Sequence, residues 1–256
     1  MRRKPLLAML TCRRVAPFVM VILFATAAIA ASIRHVLAAE EDLDGIMRAR
    51  CPAYVAWIKA HPGIAPTFLD PVPPDLPPRD PLLREDLLQM AKADQDARAR
   101  IHPGAGLSES AVRDVYLVDA NNLARLELIT ALSGFPTAEI VGRDGVGALW
   151  LLVQHADADP DFQTRALEEL QALAARGDLG RDSLAMLTDR VRLARGEPQV
   201  YGTQFLIDEG VFDMRSTEDI DHVEERRRSV GLPPLADYKC ALRVMYGVSG
   251  PAHDAG

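Results

Sequence analysis

The six residues Ala148–Val153, with the sequence ALWLLV, restrict the possible folds of this chain more than any other stretch. They are apolar in every direction around a helix, so a helix formed by them has no polar face to present to water. We therefore predict a helix that is buried on all sides, which requires other elements packed around it.

The polar residues after this helix predict where it ends and where the next one begins. The sequence continues as QHADADPDFQ, and the buried helix is expected to end near Asp157. Asp159 suits the N-cap of a second helix and Pro160 its first position, because aspartate accepts free backbone N–H groups and proline lacks the N–H that would go unpaired there. This second helix is predicted to run to Arg176–Gly177.

Helical spacing of apolar residues and capping signals predict further helices on both sides of this pair. They are Leu82–Ile101, a helix capped by Ser108 or Ser110 that runs to about Leu132, Asp182–Arg195 before the stop at Gly196, and a last helix capped by Thr217. The stretch VGRDGVG, residues 141–147, is predicted to be a glycine-rich loop that leads into the buried helix.

One segment has the composition of strands. Residues 198–214, PQVYGTQFLIDEGVFDM, are rich in Val, Tyr, Thr, Phe and Ile, with Asp208-Glu209-Gly210 as a turn, which indicates a β-hairpin. Gly202 is expected to interrupt the first strand as a bulge or a close backbone approach. The predicted fold is therefore mainly α, a compact multi-helical domain with one β-hairpin near the C-terminus.

The N-terminus has the pattern of an export signal. Five basic residues precede Val15–Ile33, which contains no charged residue. This run suits either a cleaved signal peptide or an uncleaved membrane anchor formed by residues 15–33, and both place the rest of the chain in the periplasm or outside the cell.

The rest of the chain divides by composition. Residues 39–60 read as one short, appended helix, and residues 61–81 as an extended linker because eight prolines lie between His61 and Pro81. The predicted order is 1–38 signal or anchor, 39–60 helical segment, 61–81 linker, 82–246 helical domain and 247–256 flexible tail.

The net charge of the chain restricts the classes of partner that it can bind. Removing residues 1–38 removes six positive charges and no negative ones, so a net charge of −7 becomes −13. A domain this acidic repels nucleic acid and anionic lipid. We expect a polar small molecule or an envelope protein as partner, no nucleic acid, and membrane contact only through the N-terminal segment.

Three cysteines are present. Cys12 lies in the signal region, while Cys51 and Cys240 are an even pair in an oxidising compartment, where they could be bonded or free.

The motifs GFP, VGRDGVGALWLLVQHADADPDFQ, LTDRV and PQVYGTQF occur in this order. With these gaps the chain resembles an uncharacterised bacterial domain-of-unknown-function family over about Leu83–Tyr238. The positions that carry the resemblance are Gln154, His155, Asp157, Gln163, Asp189, Arg190, Tyr201, Gly202 and Gln204. The resemblance implies no activity, and the export signal and proline linker depart from the family pattern.

His155 and Asp157 are the predicted catalytic residues. His155 lies in the last turn of the buried helix, where the helix dipole and the carboxylate of Asp157 both favour an imidazolium that can exchange a proton. The alternative is a structural histidine that only caps the last carbonyls of its helix.

Four polar residues are the predicted substrate-binding groups: Gln154, Arg190, Tyr201 and Gln204. Arg190 and its neighbour Asp189 have a structural alternative, in which one of them joins a salt-bridge cluster with Asp94, Arg98 or Asp119. The alternative for Tyr201 and Gln204 is simple packing of the hairpin.

No metal site, cofactor or activated nucleophile is predicted. The H-x-D-x-D order of His155, Asp157 and Asp159 does not place its members on one helix face, and the chain has no HExxH, EF-hand or G-x-S-x-G motif. Two functions fit the residues: an exported envelope enzyme of the hydrolytic acid/base type, or a non-catalytic helical module that binds a peptide, a glycan or an envelope protein.

Overall fold

The computed structural model describes residues 43–61, 77–101, 108–208 and 211–248. The chain divides into two units, residues 1–46 and 47–256, and the account below concerns the second. Residues 43–50 are helical and are called α1. The other elements are α2 Pro52–Ala60, α3 Pro81–Arg98, α4 Glu109–Ser133, α5 Ala138–Gln154, α6 Pro160–Ala175, α7 Arg181–Ala194, β1 Phe205–Asp208, β2 Val211–Met214, a 3-10 turn Ile220–His222, α8 Val223–Val230 and α9 Leu235–Met245.

Within these ranges the fold is mainly α with a single antiparallel hairpin near the C-terminus, which confirms the predicted fold class. None of the described helices is long and apolar enough to cross a membrane. The predicted export signal, most of the proline-rich linker and most of the tail lie outside the described residues, so these parts of the domain division stay predictions.

Helix α5 is the centre of the core. It packs against α3, α4, α6 and α7, and every residue of Ala148–Val153 is at most 3% exposed. The prediction of a helix buried on all sides is confirmed. Because α5 is enclosed, four neighbouring helices restrict its movement.

The glycine-rich stretch is part of α5, and the prediction of a loop there was wrong. Only Gly142 leaves helical geometry, with φ +77. Gly145 stays helical, and a Cβ added there would meet the Val141 side chain at 2.8 Å. Asp144 forms an ion pair with Arg84 of α3. Gly142 therefore allows a kink, and Gly145 leaves room for the Val141 side chain of the same helix.

The start of α6 follows the predicted capping pattern. Asp159 is the N-cap, and its Oδ1 accepts the backbone N–H of Phe162 at 2.9 Å. Pro160 is the first helical residue. The turn between α5 and α6 is therefore short, and it keeps residues 155–158 next to the end of the buried helix.

The hairpin pairs Phe205 with Met214 and Asp208 with Val211. Gly202 was predicted to interrupt the first strand. It instead precedes β1 and has φ +65. Its left-handed backbone is part of an ordered loop, residues 199–204, which joins α7 to the hairpin.

Residues 43–60 differ from the prediction of one appended helix. Helicity breaks at Cys51, which has φ −127 and precedes Pro52. Helix α2 packs against α9, and Cys51 is disulfide-bonded to Cys240. Residues 51–60 are therefore covalently tied to α9 within the same unit.

Helix α9 was not predicted at all. Thr217 was predicted to cap the helix that is now α8, but it does not. Its hydroxyl donates to the Arg215 carbonyl, and a 3-10 turn begins at Ile220.

Candidate functional site

His155 pairs with a carboxylate that sequence reasoning did not assign to it. It is the C-cap residue of α5, and its ring Nδ1 lies 2.9 and 3.0 Å from the two carboxylate oxygens of Asp94 in α3. The Asp94 side chain is fully buried, and the His155 side chain is 17% exposed. One side of the imidazole is thus fixed in the interior while the ring still reaches the surface.

The charge state of Asp94 decides which ring nitrogen is available. Burial raises the pKa of its carboxyl, but the hydrogen bond and charge of His155 and the charge of Arg98 outweigh that effect, so the pKa lies below its ordinary value. An ionised carboxylate can only accept hydrogen bonds, so Nδ1 carries the proton. None of the described residues forms a hydrogen bond with Nε2 of His155, which leaves that nitrogen for proton exchange.

Asp94 is also held by the guanidinium of Arg98. Arg98 donates from Nη1 to Asp94 at 2.6 Å, and its two terminal nitrogens contact Asp119 of α4 at 3.0 and 2.9 Å. Gln95 donates to the other oxygen of Asp94 at 2.8 Å. The resulting network joins α3, α4 and α5, so the imidazole orientation is fixed by three helices.

Asp157 was predicted to be the partner of His155, but the two side chains do not pair. Its carboxylate accepts from Gln163 Nε2 at 3.0 Å and from Arg190 Nη1 at 2.7 Å. The helix ends at Gln154, and the turn after it directs Asp157 towards α6 and α7, whereas Asp94 of α3 faces the histidine. Arg190 therefore pairs with Asp157 and not with the cluster of α3 and α4.

Gln154 and Gln204 meet at one carbonyl. Their Nε2 atoms lie 3.5 and 3.4 Å from the Met186 carbonyl oxygen of α7. Gln154 Oε1 and Arg190 Nε are buried and have no hydrogen-bond partner among the described residues. Gln154 and Gln204 therefore contact α7, the helix that carries Arg190, and one acceptor and one donor of the three residues are unused.

Asp189 and the backbone of Tyr201, one of the predicted binding residues, hold the loop before the hairpin in place. Asp189 is fully buried and accepts the backbone N–H groups of Val200, Tyr201 and Thr203 as well as the Thr203 hydroxyl, at 2.7 to 3.2 Å. The Tyr201 carbonyl accepts from Arg227 at 2.7 Å. Burial and the charge of Asp189 raise the pKa of the Tyr201 phenol. No hydrogen bond joins that phenol to the other predicted site residues in the described ranges.

Sequence reasoning named Asp94, Arg98 and Asp119 only as salt-bridge partners and missed Asp94 as the carboxylate beside His155. The buried face of α3 is formed by Leu87, Ala91, Asp94 and Ala97. An aspartate in an otherwise apolar helical stripe needs a partner, because an unpaired buried charge is strongly unfavourable. The position of Asp94 on this apolar face was the sequence signal that could have identified it.

A groove lies elsewhere on the molecule. A cavity of about 590 Å³ lies between α4 and α6, and His155 is not among its lining residues. No group of three or more potential metal ligands occurs in the part of the chain that the structure describes.

Comparison with protein-family models identifies the family. The model of a family of unknown function (DUF6624) matches residues 81–250, most of the chain, which confirms the resemblance noted in the sequence. Searches of curated proteins and of solved structures found no match.

Proposed function

This chain belongs to the DUF6624 family of unknown function, and we propose that it is an acid/base enzyme of the hydrolytic type whose proton-transferring group is Nε2 of His155. The observation that carries the proposal is the contact of Nδ1 with both oxygens of the buried Asp94. A carboxylate on Nδ1 orients the ring, selects its tautomer and stabilises the imidazolium, as in known His–Asp pairs.

The proposed step is a proton transfer. Nε2 accepts a proton from a water molecule while the water oxygen attacks an electrophilic carbon of the substrate, and the imidazolium then returns that proton to the leaving group. Asp94 stays ionised throughout and acts as a positioning residue. Arg98, which Asp119 holds in turn, supports the carboxylate by donating to the same Oδ1 that the histidine contacts.

Gln154, Arg190 and Gln204 are proposed to hold a polar substrate. The buried, unused Oε1 of Gln154 and Nε of Arg190 support this assignment, because unpaired buried polar atoms are unfavourable until a ligand or water satisfies them. Asp157 is proposed to orient Arg190 through their 2.7 Å ion pair. Tyr201 contributes its backbone to the loop beside Gln204.

We further propose that the enzyme acts in the cell envelope. The basic N-terminus followed by the uncharged Val15–Ile33 supports export, and so does the disulfide between Cys51 and Cys240, since such bonds persist in oxidising compartments. The substrate is then a polar small molecule or a group on an envelope component.

The test compares three variants on a panel of chromogenic esters, amides and glycosides. His155→Gln keeps the size and hydrogen bonding of the side chain but removes the titrating group, so hydrolysis should fall by about a hundredfold or more. Asp94→Asn should reduce the rate and change its pH profile, because the ring loses its charged partner. Both variants should remain folded by circular dichroism.

The chain supplies a matched control. His222 contacts Asp219 through Nδ1 at the same 2.9 and 3.0 Å, but this pair is exposed. His222→Gln should leave the rate unchanged. The proposal fails if His155→Gln retains the wild-type rate, or if wild type hydrolyses no member of the panel faster than His155→Gln does.

A non-catalytic binding module remains the second candidate. The observation that favours it is the position of the groove, which His155 does not line. Ligand binding that is unaffected by His155→Gln, together with the absence of hydrolysis, would support this reading.

A further inference from the structure

The groove between α4 and α6 results from how these helices meet the core. Both pack against α5, but they are not packed closely against each other. Gly134 ends α4 with φ +71 and has open space where a Cβ would be. The gap that this arrangement leaves is the cavity of about 590 Å³, a volume typical of small-molecule sites.

Two aromatic rings form the apolar part of the groove. Phe135 and Phe162 stack with their ring centroids 6.3 Å apart, and Phe162 is only 3% exposed. The guanidinium of Arg165 lies 6.0 Å from the centroid of the Phe162 ring. The fold itself thus places a cation next to an aromatic face, which is a favourable arrangement because the ring face carries partial negative charge.

The polar part of the groove is mainly acidic. Glu127 from α4 and Glu168 and Glu169 from α6 line it, and Arg165 is its one lining cation. None of the three glutamates forms an ion pair with another described residue. Three carboxylates against one guanidinium leave the lining with an excess of negative charge next to the aromatic rings.

We propose that this groove binds a small organic cation, an ammonium group attached to an aromatic or apolar group. The ring of the ligand packs against the half-buried Phe135, which is backed by the buried Phe162, and its ammonium lies among the carboxylates. An anion of the same shape is repelled. This site is separate from His155 and does not depend on the proposed hydrolytic activity.

Arg165 makes the proposal specific. Its guanidinium offsets part of the negative charge of the three glutamates and covers one face of Phe162. It therefore competes with the cation of the ligand. Arg165→Gln should therefore strengthen binding of an ammonium. At a site that binds anions, Arg165→Gln would weaken ligand binding, because Arg165 would then be the binding group.

The experiment titrates the full chain with three probes of one shape, followed by isothermal titration calorimetry and ligand-observed NMR. The probes are 2-phenylethylammonium, 2-phenylethanol and 3-phenylpropionate. The ammonium should bind with 1:1 stoichiometry, the alcohol several-fold more weakly, and the carboxylate least of all. Glu168→Gln should weaken ammonium binding by about two- to fivefold, the size expected for a partly exposed ion pair.

Two further variants complete the test. Glu109→Gln removes an exposed carboxylate at the start of α4, outside the groove, and should leave the affinity unchanged. His155→Gln should also leave it unchanged, so failure at one site is distinguishable from failure at the other. The proposal is overturned if the carboxylate binds as well as the ammonium, if Arg165→Gln weakens ammonium binding, or if no probe saturates.

Discussion

Replacing Asp182 with asparagine should stabilise this protein at neutral pH. Asp182 is in the first turn of α7 and is 7% exposed. Burial raises the pKa of its carboxyl from 3.8 to about 6, although hydrogen bonds from the backbone N–H groups of Ser183 and Asp182 itself lower it in part. The folded protein therefore holds this proton more tightly than the unfolded chain does.

The sign of the effect follows from this difference. The stability that the protonated carboxyl contributes is present below pH 4 and is lost as the pH rises through about 6. A pKa change of this size corresponds to about 3 kcal/mol at pH 7. Asparagine keeps the acceptor oxygen for the Ser183 N–H but has no charge to desolvate. Losing a favourable negative charge in the first helical turn offsets about 0.5 kcal/mol, so the expected net gain is about 2.5 kcal/mol.

Urea unfolding of wild type and Asp182→Asn, followed by far-UV circular dichroism at several pH values between 4 and 7, measures this gain. The two proteins should differ little at pH 4 and increasingly above it. Asp161→Asn is the matched control, because Asp161 is an exposed aspartate in the first turn of α6 and should show only the small helix-dipole loss. A difference that does not vary with pH, or a less stable Asp182→Asn protein at pH 7, would refute the reasoning.

Three shorter predictions concern other parts of the molecule. Asp159→Ala should lower the free energy of unfolding by about 1 kcal/mol through loss of the N-cap of α6, with no change in hydrolysis, as urea titration and the substrate panel would show. The exported protein should show no alkylatable thiol at Cys51 or Cys240 in non-reducing mass analysis, and reduction should cost about 2–5 kcal/mol of stability; two free thiols would contradict the bond. A lactamase fused after residue 60 should confer periplasmic resistance, whereas a cytoplasmic readout would reject export.

Local patterns predicted those parts of the fold that depend on neighbouring residues. The N-cap of α6 is a contact between residues three apart, Asp159 and Phe162, so its signal is complete within a few letters. The burial of α5 was likewise predictable, because its residues are apolar all around. The stretch at Gly142 and Gly145 was misread because a glycine that allows close packing has the same letter as one that forms a loop.

The partners within the candidate site could not be predicted in the same way. His155 and Asp94 are 61 residues apart, and no periodicity joins them. Asp157 is two residues from His155 and was therefore the natural choice, but the turn after α5 directs it towards Arg190. Which carboxylate reaches the imidazole depends on how α3 packs against α5, and that is a property of the assembled core.

The enclosure of α5 also determines how its backbone amides exchange with solvent. An amide enclosed by four helices can exchange with deuterium only when the whole domain opens, while α2, which has no fully buried residue, can open locally. The amides of α5 should therefore form the slowest group in a hydrogen-exchange experiment. A ligand that binds only the native state raises the free energy of unfolding. The deuterium exchange of the α5 amides then slows by the corresponding factor. Mass spectrometry of the α5 peptide would then detect binding at either site without knowledge of the reaction.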